Sequence, residues 1–371
     1  MTATATVDRS AIRDNVATLH GLAGGAIVCA VVKADGYGHG SAAAARAALD
    51  GGATWLAVAS PREAIELCDA GIDPAVPILL LSEPDAAELA GAGPDLPAGV
   101  RFTVASAGGV EVLESVHPGA GPWPVHLKVD TGMHRVGETP TAAPALARAV
   151  EASPALTLEG TWTHFAVADE PDDPFTATQT ARFDDALAGL RAEGVDPGIV
   201  HLANSAGTIA HPASRRDLVR VGISIYGIPP SAALEGAVPL RPALRLTAPV
   251  TAVRVVEAGE SVSYGRRWFA EGPTRVATVA VGYADGIRRA SASCGVEVLV
   301  RGHRAPVLGV VTMDQLMIAV DDDVTVGDEV VLIGEQGDHE ITVEEIAGRL
   351  GTIGYEVVTA IGPRVRRVHV G

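Results

Sequence analysis

Lys33 stands where the apolar run Ala30–Val32 gives way to the glycine-rich stretch KADGYGHG. This placement puts an amine at the end of a predicted buried strand. Burial penalises the charged ammonium and lowers its pKa, so such an amine can act as a base or form a Schiff base. Tyr37 follows four residues later, and glycines at 36, 38 and 40 precede a helical pattern, a combination that favours a bound anion. The stretch therefore predicts a reactive amine beside a phosphate; the alternative is a structural lysine.

The overall composition narrows the classes of function. The chain has 371 residues and a formal net charge of −17, which predicts two domains and disfavours nucleic acid or an anionic membrane as partner. Its three cysteines, Cys29, Cys68 and Cys294, have no spacing typical of a disulfide framework or a zinc site. Neither a signal-peptide pattern nor a run of about 18 apolar residues is present, so we expect a cytoplasmic protein.

The first part of the chain alternates short apolar runs with segments of helical period, such as PREAIELCDAG. Eight such units within about 230 residues predict a (β/α)₈ barrel. An open, doubly wound sheet is the alternative, but no GxGxxG follows any of the runs. The predicted strands are AIVCAVVK, TWLAVAS, VPILLLS, VRFTVAS, VHLKVD, LEGTWTHF, IVHLANS and LVRVGISIYG.

Polar residues end several of these runs. In a barrel of this kind, the chemistry lies at the carboxyl ends of the strands. The polar residues at or near those ends are Lys33, Lys128, Asp130, His164, Asn204, Ser205 and Arg220. The barrel prediction brings them to one mouth.

The composition changes near Tyr226, where YGIPPSAALEGAVPLRPAL contains four prolines, as is typical of a domain boundary. We therefore predict a barrel domain over 1–235 and a second domain over 236–371. Runs such as LRLTAPVTAVRVV and GDEVVLIG predict an all-β second domain, with EEIAGRLGT as its clear helix. The first residues, ATATVDRS, are expected to pair with this second domain.

Nine short motifs carry a family resemblance. They are KADGYGHG, KVDTGMHRVG, THFA, HLANSAG, RVGISIYG, VSYGRRW, VGYADG, TMDQ and TIGYEVV. Together and in this order they resemble the alanine racemase family of fold-type III pyridoxal-phosphate enzymes, from VDRSAIRDNV to IGPRV. The resemblance implies a barrel with an all-β domain and the interconversion of L-alanine and D-alanine, which supplies D-alanine for peptidoglycan.

The family resemblance implies two bases. Lys33 would hold pyridoxal phosphate as a Schiff base and then act as the base on one face of the substrate α-carbon, and Tyr264 would act on the opposite face. Racemisation needs both, because a single base tends to return the proton to the face from which it came. Tyrosine is a poor base near its ordinary pKa of about 10. We therefore expect positive charge from His164 and Arg220 to lower it.

The remaining cofactor contacts also follow from the resemblance. Arg220 would face the pyridine nitrogen and, because an arginine keeps its proton, would disfavour transamination. His164 is a further cofactor residue. The phosphate would be held by Tyr37, Ser205, the backbone of Gly222 and Ile223, and Tyr355. Asn204 is either a neighbour of this phosphate-binding site or an ordinary turn residue.

Three residues are implied for the substrate. Arg135 would bind near its carboxylate, Met313 would offer a backbone N–H, and Tyr283 would narrow the entrance. Lys128 matches a lysine that is carbamylated in some members of the family and pairs with Arg135; the alternative is a free amine bound to Asp130.

Thr312, Gly354 and Thr359 depart from residues frequent in the family, which bears on substrate preference. The resemblance also implies a head-to-tail homodimer in which Tyr264 and Met313 serve the partner's site. Other functions stay open: a broad-specificity racemase, a decarboxylase of basic amino acids, or a non-catalytic pyridoxal-phosphate carrier. Arg220 disfavours the decarboxylase, and the second domain with Tyr264 disfavours the carrier.

Overall fold

The computed structural model describes residues 3–119 and 121–371. The chain divides into two compact units. The barrel unit comprises Ile12–Gly36 and Ser41–Arg241, and the β-rich unit comprises residues 3–11, Tyr37–Gly40 and Pro242–Gly371. The two units interleave along the chain. The division into one domain over 1–235 and a second over 236–371 remains a prediction.

The strands are, in chain order, β1 (Thr4–Asp8), β2 (Ile27–Val31), β3 (Trp55–Val58), β4 (Ile78–Leu80), β5 (Val100–Val104), β6 (Trp123–Lys128), β7 (Leu156–Trp162), β8 (Ile199–His201), β9 (Leu218–Val221), β10 (Leu244–Val256), β11 (Ser261–Val262), β12 (Trp268–Phe269), β13 (Thr274–Val279), β14 (Glu297–Val300), β15 (His303–Leu308), β16 (Leu316–Ala319), β17 (Glu329–Gln336), β18 (His339–Ile341) and β19 (Arg366–Val370). The right-handed helices are Arg9–Ala23, Ser41–Asp50, Pro61–Asp69, Ala86–Ala92, Ala107–Val116, Ala143–Ala152, Phe175–Ala192, Ser205–Ala210, Val343–Leu350 and Gly354–Thr359. No helix among the described residues is long and apolar enough to cross a membrane.

The barrel sheet is parallel and runs in the order β8-β7-β6-β5-β4-β3-β2-β9. Two backbone hydrogen bonds bring its ends together, from Asp217 N–H to the Val200 carbonyl at 3.1 Å and from Arg220 N–H to the Ala203 carbonyl at 2.9 Å. The eight predicted strands are therefore confirmed as one nearly closed barrel, and the open-sheet alternative is wrong.

Strands β2, β3 and β4 are apolar along their full length, because the barrel sheet is covered on both faces. Every residue of β3 and of β9 is buried, as expected for parallel strands with helices outside and side chains inside. Local signals set the surrounding helices. The hydroxyl of Ser60 accepts the N–H of Glu63, and Pro61 occupies the first turn, where its missing N–H costs nothing.

The β-rich unit is built on a nine-stranded sheet in the order β18-β17-β14-β15-β16-β13-β10-β1-β19. Its longest strand, β10, pairs with both β13 and β17 and has an irregular register between Val250 and Ala252. Strand β1 lies antiparallel to β10 and parallel to β19. The amino-terminal strand thus belongs to the sheet formed by the carboxyl-terminal part of the chain.

Two local predictions differ from the structure. The apolar run at 218–227 is a strand only to Val221, and Ile223–Tyr226 forms a 3₁₀ turn. Beyond the predicted helix, a second one forms over Gly354–Thr359, whose β-branched residues give it weak helical propensity.

Candidate active site

Lys33 lies two residues after the end of β2 and directly before a left-handed turn. From Ala34 to Tyr37 the φ angles are 53°, 52°, 61° and 53°. Non-glycine residues are strained in this region, so other contacts must hold the turn. The carboxylate of Glu63 accepts the N–H of Ala34 at 2.7 Å. The backbone around the lysine is therefore fixed by an acidic side chain from the neighbouring βα unit.

The environment of Lys33 favours a neutral amine. Its pKa is lowered, first by burial and then by the positive charge of Arg135, while the carboxylate of Glu63 acts in the opposite direction. A neutral amine is the form that attacks a carbonyl or accepts a proton. The pKa of Lys33 is thus shifted in the direction that the predicted chemistry needs.

Lys128 belongs to the same positive cluster. Burial and the charges of Arg135 and Arg220 lower its pKa to about 8, against the opposing charge of Asp130. Its Nζ lies 4.4 Å from the ring centre of Trp162. Among the described residues no ion pair within 4.0 Å joins Lys128 to Asp130.

Asp130 instead organises the loop after β6. One of its oxygens accepts the N–H groups of Gly132, Met133 and His134 at 2.8, 3.0 and 3.1 Å. This loop carries Arg135, which is exposed in the chain described here. The alternative in which Asp130 directly binds the free amine of Lys128 is therefore not supported by the geometry.

Arg220 is buried at 2% exposure and donates four hydrogen bonds. The acceptors are Nδ1 of His201 at 2.7 Å, the carbonyls of Thr163 and Leu202 at 2.8 and 2.9 Å, and Nδ1 of His164 at 3.4 Å. Burial lowers its pKa to about 10, so the guanidinium remains charged at neutral pH. Within the described ranges no carboxylate forms an ion pair with it.

His164 does not carry the positive charge expected of it. Burial and then the charge of Arg220 are the largest of several effects that hold its pKa well below the ordinary value. The imidazole is therefore neutral at neutral pH. The positive charge expected of His164 is therefore absent at neutral pH, whereas Arg220 carries its charge.

Two of the predicted phosphate residues meet in the barrel unit. The N–H of Gly222 donates to the hydroxyl of Ser205 at 2.8 Å, and Ile223 follows directly. The side chain of Asn204 accepts the N–H of Gly207 at 2.9 Å and so caps the helix Ser205–Ala210. Of the two interpretations of Asn204, the structure supports the turn-forming one.

The two tyrosines that are predicted to bind the phosphate lie close together in the β-rich unit. The rings of Tyr37 and Tyr355 lie 6.2 Å apart, centre to centre. Burial raises the pKa of Tyr37 to about 12, so its phenol stays protonated and can donate to an anion. A side-chain carbon at position 38 would lie 2.3 Å from the carbonyl oxygen of Val358. This contact is too short for any residue other than glycine.

The remaining predicted residues lie exposed on the β-rich unit. Tyr264, Met313 and Tyr283 have 73%, 52% and 42% of their surface accessible. The loops of Met313 and Tyr283 are paired through their backbones, with Tyr283 N–H donating to the Thr312 carbonyl at 2.9 Å and Ala284 N–H to the Met313 carbonyl at 3.0 Å.

Several residues around these side chains were not singled out in the sequence. They are Glu63, His126, Glu159, His201, Asp285 and Arg364. Only His126 left a signal, since it lies two residues before Lys128 on one strand and hence on the same face. Among the described residues, no group of three His, Cys, Asp or Glu side chains is placed to hold a metal ion.

Comparison with known proteins gives two family matches. Residues 7–230 match the model of the alanine racemase N-terminal domain, and residues 243–369 match that of the alanine racemase C-terminal domain. The chain is 44% identical over 370 residues to the alanine racemase of Symbiobacterium thermophilum, covering 99% of this chain and 97% of that protein. It is 45% identical over 379 residues to that of Thermobifida fusca, covering 100% and 98%.

Solved structures agree over the full length. The crystal structure of alanine racemase from Bacillus anthracis with bound L-Ala-P has a TM-score of 0.93 and 38% identity, covering 100% of this chain and 95% of that one. Alanine racemase from D-cycloserine producing Streptomyces lavendulae gives a TM-score of 0.91 and 37% identity, covering 100% and 97%.

Proposed function

The chain belongs to the alanine racemase family of pyridoxal-phosphate-dependent isomerases, and we propose that Lys33 and Tyr264 are the two bases with which it interconverts L-alanine and D-alanine. The observation that carries this assignment is the desolvated amine of Lys33 at the end of β2, with a lowered pKa and a rigid turn behind it. The D-alanine formed would supply peptidoglycan precursors in the cytoplasm, as the family does.

The residues present fit pyridoxal phosphate. Arg220 is a buried cation whose charge no carboxylate within the described ranges pairs directly, which suits a neighbouring anionic ring system. Ser205 and the backbone at Gly222 and Ile223 would hold the phosphate, and the phenols of Tyr37 and Tyr355 would donate to it. When bound, pyridoxal phosphate makes the α-proton of an attached amino acid acidic.

Lys33 would hold the cofactor and then move a proton on one face of the α-carbon. Its lowered pKa keeps a share of the amine neutral, as a base requires. Arg220 would face the ring nitrogen and keep its own proton, since its pKa stays near 10 even when buried. A guanidinium that keeps its proton would leave the ring nitrogen unprotonated, which would disfavour transamination. His164 supports Arg220 as a neutral acceptor.

Tyr264 would act on the opposite face in the partner subunit's site. Its 73% exposure, with that of Met313 and Tyr283, supports a surface that a second copy of the chain covers. In the dimer, Arg135 and the backbone of Met313 would bind the substrate carboxylate, and Tyr283 would narrow the entrance. Such an arrangement gives two equivalent sites related by a two-fold axis.

Mixing two inactive variants tests the shared site. Lys33→Ala and Tyr264→Ala are each expected to be inactive as homodimers. Co-refolded hybrids contain one site with both defects and one with neither, so random pairing should restore roughly a quarter of the wild-type activity. Activity that stays at zero in verified hybrids would contradict the shared site.

Substrate exchange tests the reaction itself. The purified enzyme is incubated with L-alanine, L-serine and L-lysine in heavy water, and deuterium at the α-carbon is recorded together with the chirality of the product. Exchange with inversion on alanine supports the proposal. Inversion of all three at similar rates would favour the broad-specificity racemase, and loss of the carboxyl group from L-lysine would favour the decarboxylase.

A further inference from the structure

A continuous chain of hydrogen bonds leads from Arg220 to the far side of the barrel unit. Arg220 donates to Nδ1 of His201 at 2.7 Å, and Nε2 of His201 lies 2.8 Å from Nδ1 of His126. Nε2 of His126 lies 3.1 Å from Oε2 of Glu159. Both oxygens of Glu159 also accept from Arg101, at 3.1 and 3.3 Å. We name Glu159, His126 and His201 the relay.

Arg220 and Glu159, the outer partners of the two imidazoles, determine which ring nitrogen of each histidine carries the proton. A guanidinium can only donate, so Nδ1 of His201 accepts and its proton must be on Nε2. That proton is donated to Nδ1 of His126, which in turn must carry its own proton on Nε2. A carboxylate can only accept, and Glu159 takes this last proton. Both imidazoles are therefore neutral Nε2–H tautomers pointing in the same direction.

The two histidines of the relay are buried and tightly packed, and their hydrogen-bonding groups all have partners. His126 and His201 are both fully buried, where an unpaired N–H destabilises the fold. The ring of Trp162 lies parallel to that of His201 at an interplanar angle of 4°, with Arg220 4.6 Å from the same indole. Each ring nitrogen of the two histidines has one partner, so the relay is fully satisfied.

The protonation states of the three relay residues agree with this orientation of the hydrogen bonds. Burial is the largest effect on both imidazoles and lowers the pKa of His126 and of His201, which keeps them neutral. Burial alone would raise the pKa of Glu159, but its hydrogen bond with His126 and the charge of Arg101 outweigh this and lower the pKa. The carboxylate is therefore ionised at neutral pH, and it is the anion linked to Arg220 through hydrogen bonds.

We propose that Glu159 is a positioning residue for Arg220, acting through the two oriented imidazoles of His126 and His201. The proposal deepens the proposed function, on which it rests for the role of Arg220. The carboxylate of Glu159 makes Nδ1 of His201 a stronger acceptor, because polarisation passes along the chain of hydrogen bonds. The hydrogen bond from Arg220 to this nitrogen fixes the plane of the guanidinium. A stronger bond on this side would weaken the hydrogen bond that Arg220 can donate to the cofactor. Glu159 thus adjusts from a distance how strongly Arg220 can donate to the ring nitrogen.

The proton positions are measured directly by nitrogen and proton NMR of the holoenzyme with labelled histidine. The expected result is that His126 and His201 both carry their proton on Nε2, with downfield proton resonances typical of strong hydrogen bonds. A proton on Nδ1 of either residue would overturn the proposal. This readout concerns the histidines alone, so it stays valid even if Lys33 proves not to be a base.

Glu159→Gln tests the effect of the charge. The amide oxygen can still accept, but more weakly, so both Nε2–H resonances should move upfield. The kcat for alanine should fall about tenfold, equivalent to about 1.4 kcal/mol of barrier, with KM within about twofold, because Arg220 faces the cofactor and not the substrate carboxylate. A pyridoxamine-type spectrum should also form faster during turnover. Unchanged resonances with unchanged kcat would overturn the proposal.

Two further variants separate positioning from stability. His126→Phe interrupts the relay, whereas His126→Gln can accept from His201 and donate to Glu159, so it should restore most of the lost kcat. Arg101→Met removes the ion pair with Glu159 but leaves its bond to His126. This control should lower the thermal midpoint and, because the carboxylate of Glu159 keeps its charge, should not move the histidine resonances upfield. An Arg101→Met enzyme with the same resonances and kcat as Glu159→Gln would overturn the proposal.

Discussion

Gly160 leaves the space that the imidazole of His126 occupies. A side-chain carbon at position 160 would lie 2.6 Å from Nδ1 of His126 and 2.7 Å from the Ile199 carbonyl. Such contacts are shorter than real carbon atoms tolerate, so the glycine on β7 is needed for the histidine on β6 to reach His201. Its role is therefore to make room for the relay, since its φ is not in the left-handed region.

Gly160→Ala should displace His126 and lower stability. We expect a loss of about 2–4 kcal/mol in the free energy of unfolding, since both neighbours must move within a packed barrel. Chemical denaturation measures the loss, and the His126 resonance reports the displacement. Gly91→Ala is the matched control, because no atom lies within 4 Å of a carbon added there. In the helix Ala86–Ala92 the alanine should be neutral or stabilise by up to about 1 kcal/mol. Equal stability of the Gly160→Ala enzyme and the wild type would contradict the packing argument.

The stabilising effect of Glu159 should depend on pH. Its pKa is lower in the folded chain than in the unfolded one, so the ionised carboxylate stabilises the fold above the ordinary glutamate pKa. This contribution is lost as the pH falls through the lowered folded pKa. The difference in denaturation midpoint between wild type and Glu159→Gln should therefore be largest near about pH 6 and shrink toward about pH 4. A difference that grows on acidification would mean that the folded pKa is raised.

Arg364 should control the substrate loops from outside the site. It lies 3.2 Å from Asp285, which holds the N–H of Gly282 at 2.9 Å, and 2.8 Å from Asp314. These acidic residues flank Tyr283 and Met313. Arg364→Met should release both loops and raise the KM for alanine by about fivefold, with a smaller change in kcat.

A surface arginine of the same unit provides the control for Arg364. Arg301 pairs with Asp328 at 2.8 Å, away from these loops. Arg301→Met should leave both kinetic constants at their wild-type values, because exposed ion pairs contribute little. Should Arg364→Met also leave KM unchanged, the loops would be held by their own backbone bonds.

Lys128 should carry a carbamate. Its pKa near 8 leaves a share of the amine neutral at neutral pH, and the neutral amine is the form that adds carbon dioxide. The product is an anion beside Arg135 and Arg220, so a repulsive contact becomes an attractive one. In ¹³C-labelled bicarbonate, the wild type should show one carbamate resonance that is missing in Lys128→Met. The same resonance in the variant, or none in the wild type, would show that Lys128 remains an amine.

The parts of the fold that the sequence predicts are those with a local cause. Strands β2, β3 and β4 are apolar without interruption because both faces of the barrel sheet are covered, and the helix after β3 begins with the Ser60 cap and Pro61. The same reasoning missed the helix Gly354–Thr359, where packing outweighs weak propensity. Local pattern therefore determines elements well where burial and capping agree.

The site divides in a similar way. Lys33 was found because a lysine after an apolar run is chemically conspicuous, and the motifs gave its companions. The relay was missed because His126, Glu159 and His201 are separated by 33 and 42 residues and meet only through the register of neighbouring strands. The neutral state of His164 was also missed, since it follows from burial and surrounding cations that no local pattern displays.

The stereochemistry of hydrogen exchange in Tyr264→Phe tests the two-base proposal most directly. The variant is incubated with each alanine enantiomer in heavy water, and deuterium and chirality are followed together. With Lys33 as the remaining base, we predict exchange at the α-carbon of one enantiomer only, with retention and with turnover to the other enantiomer reduced at least about a thousandfold. Racemisation of both enantiomers at the wild-type rate would contradict the account.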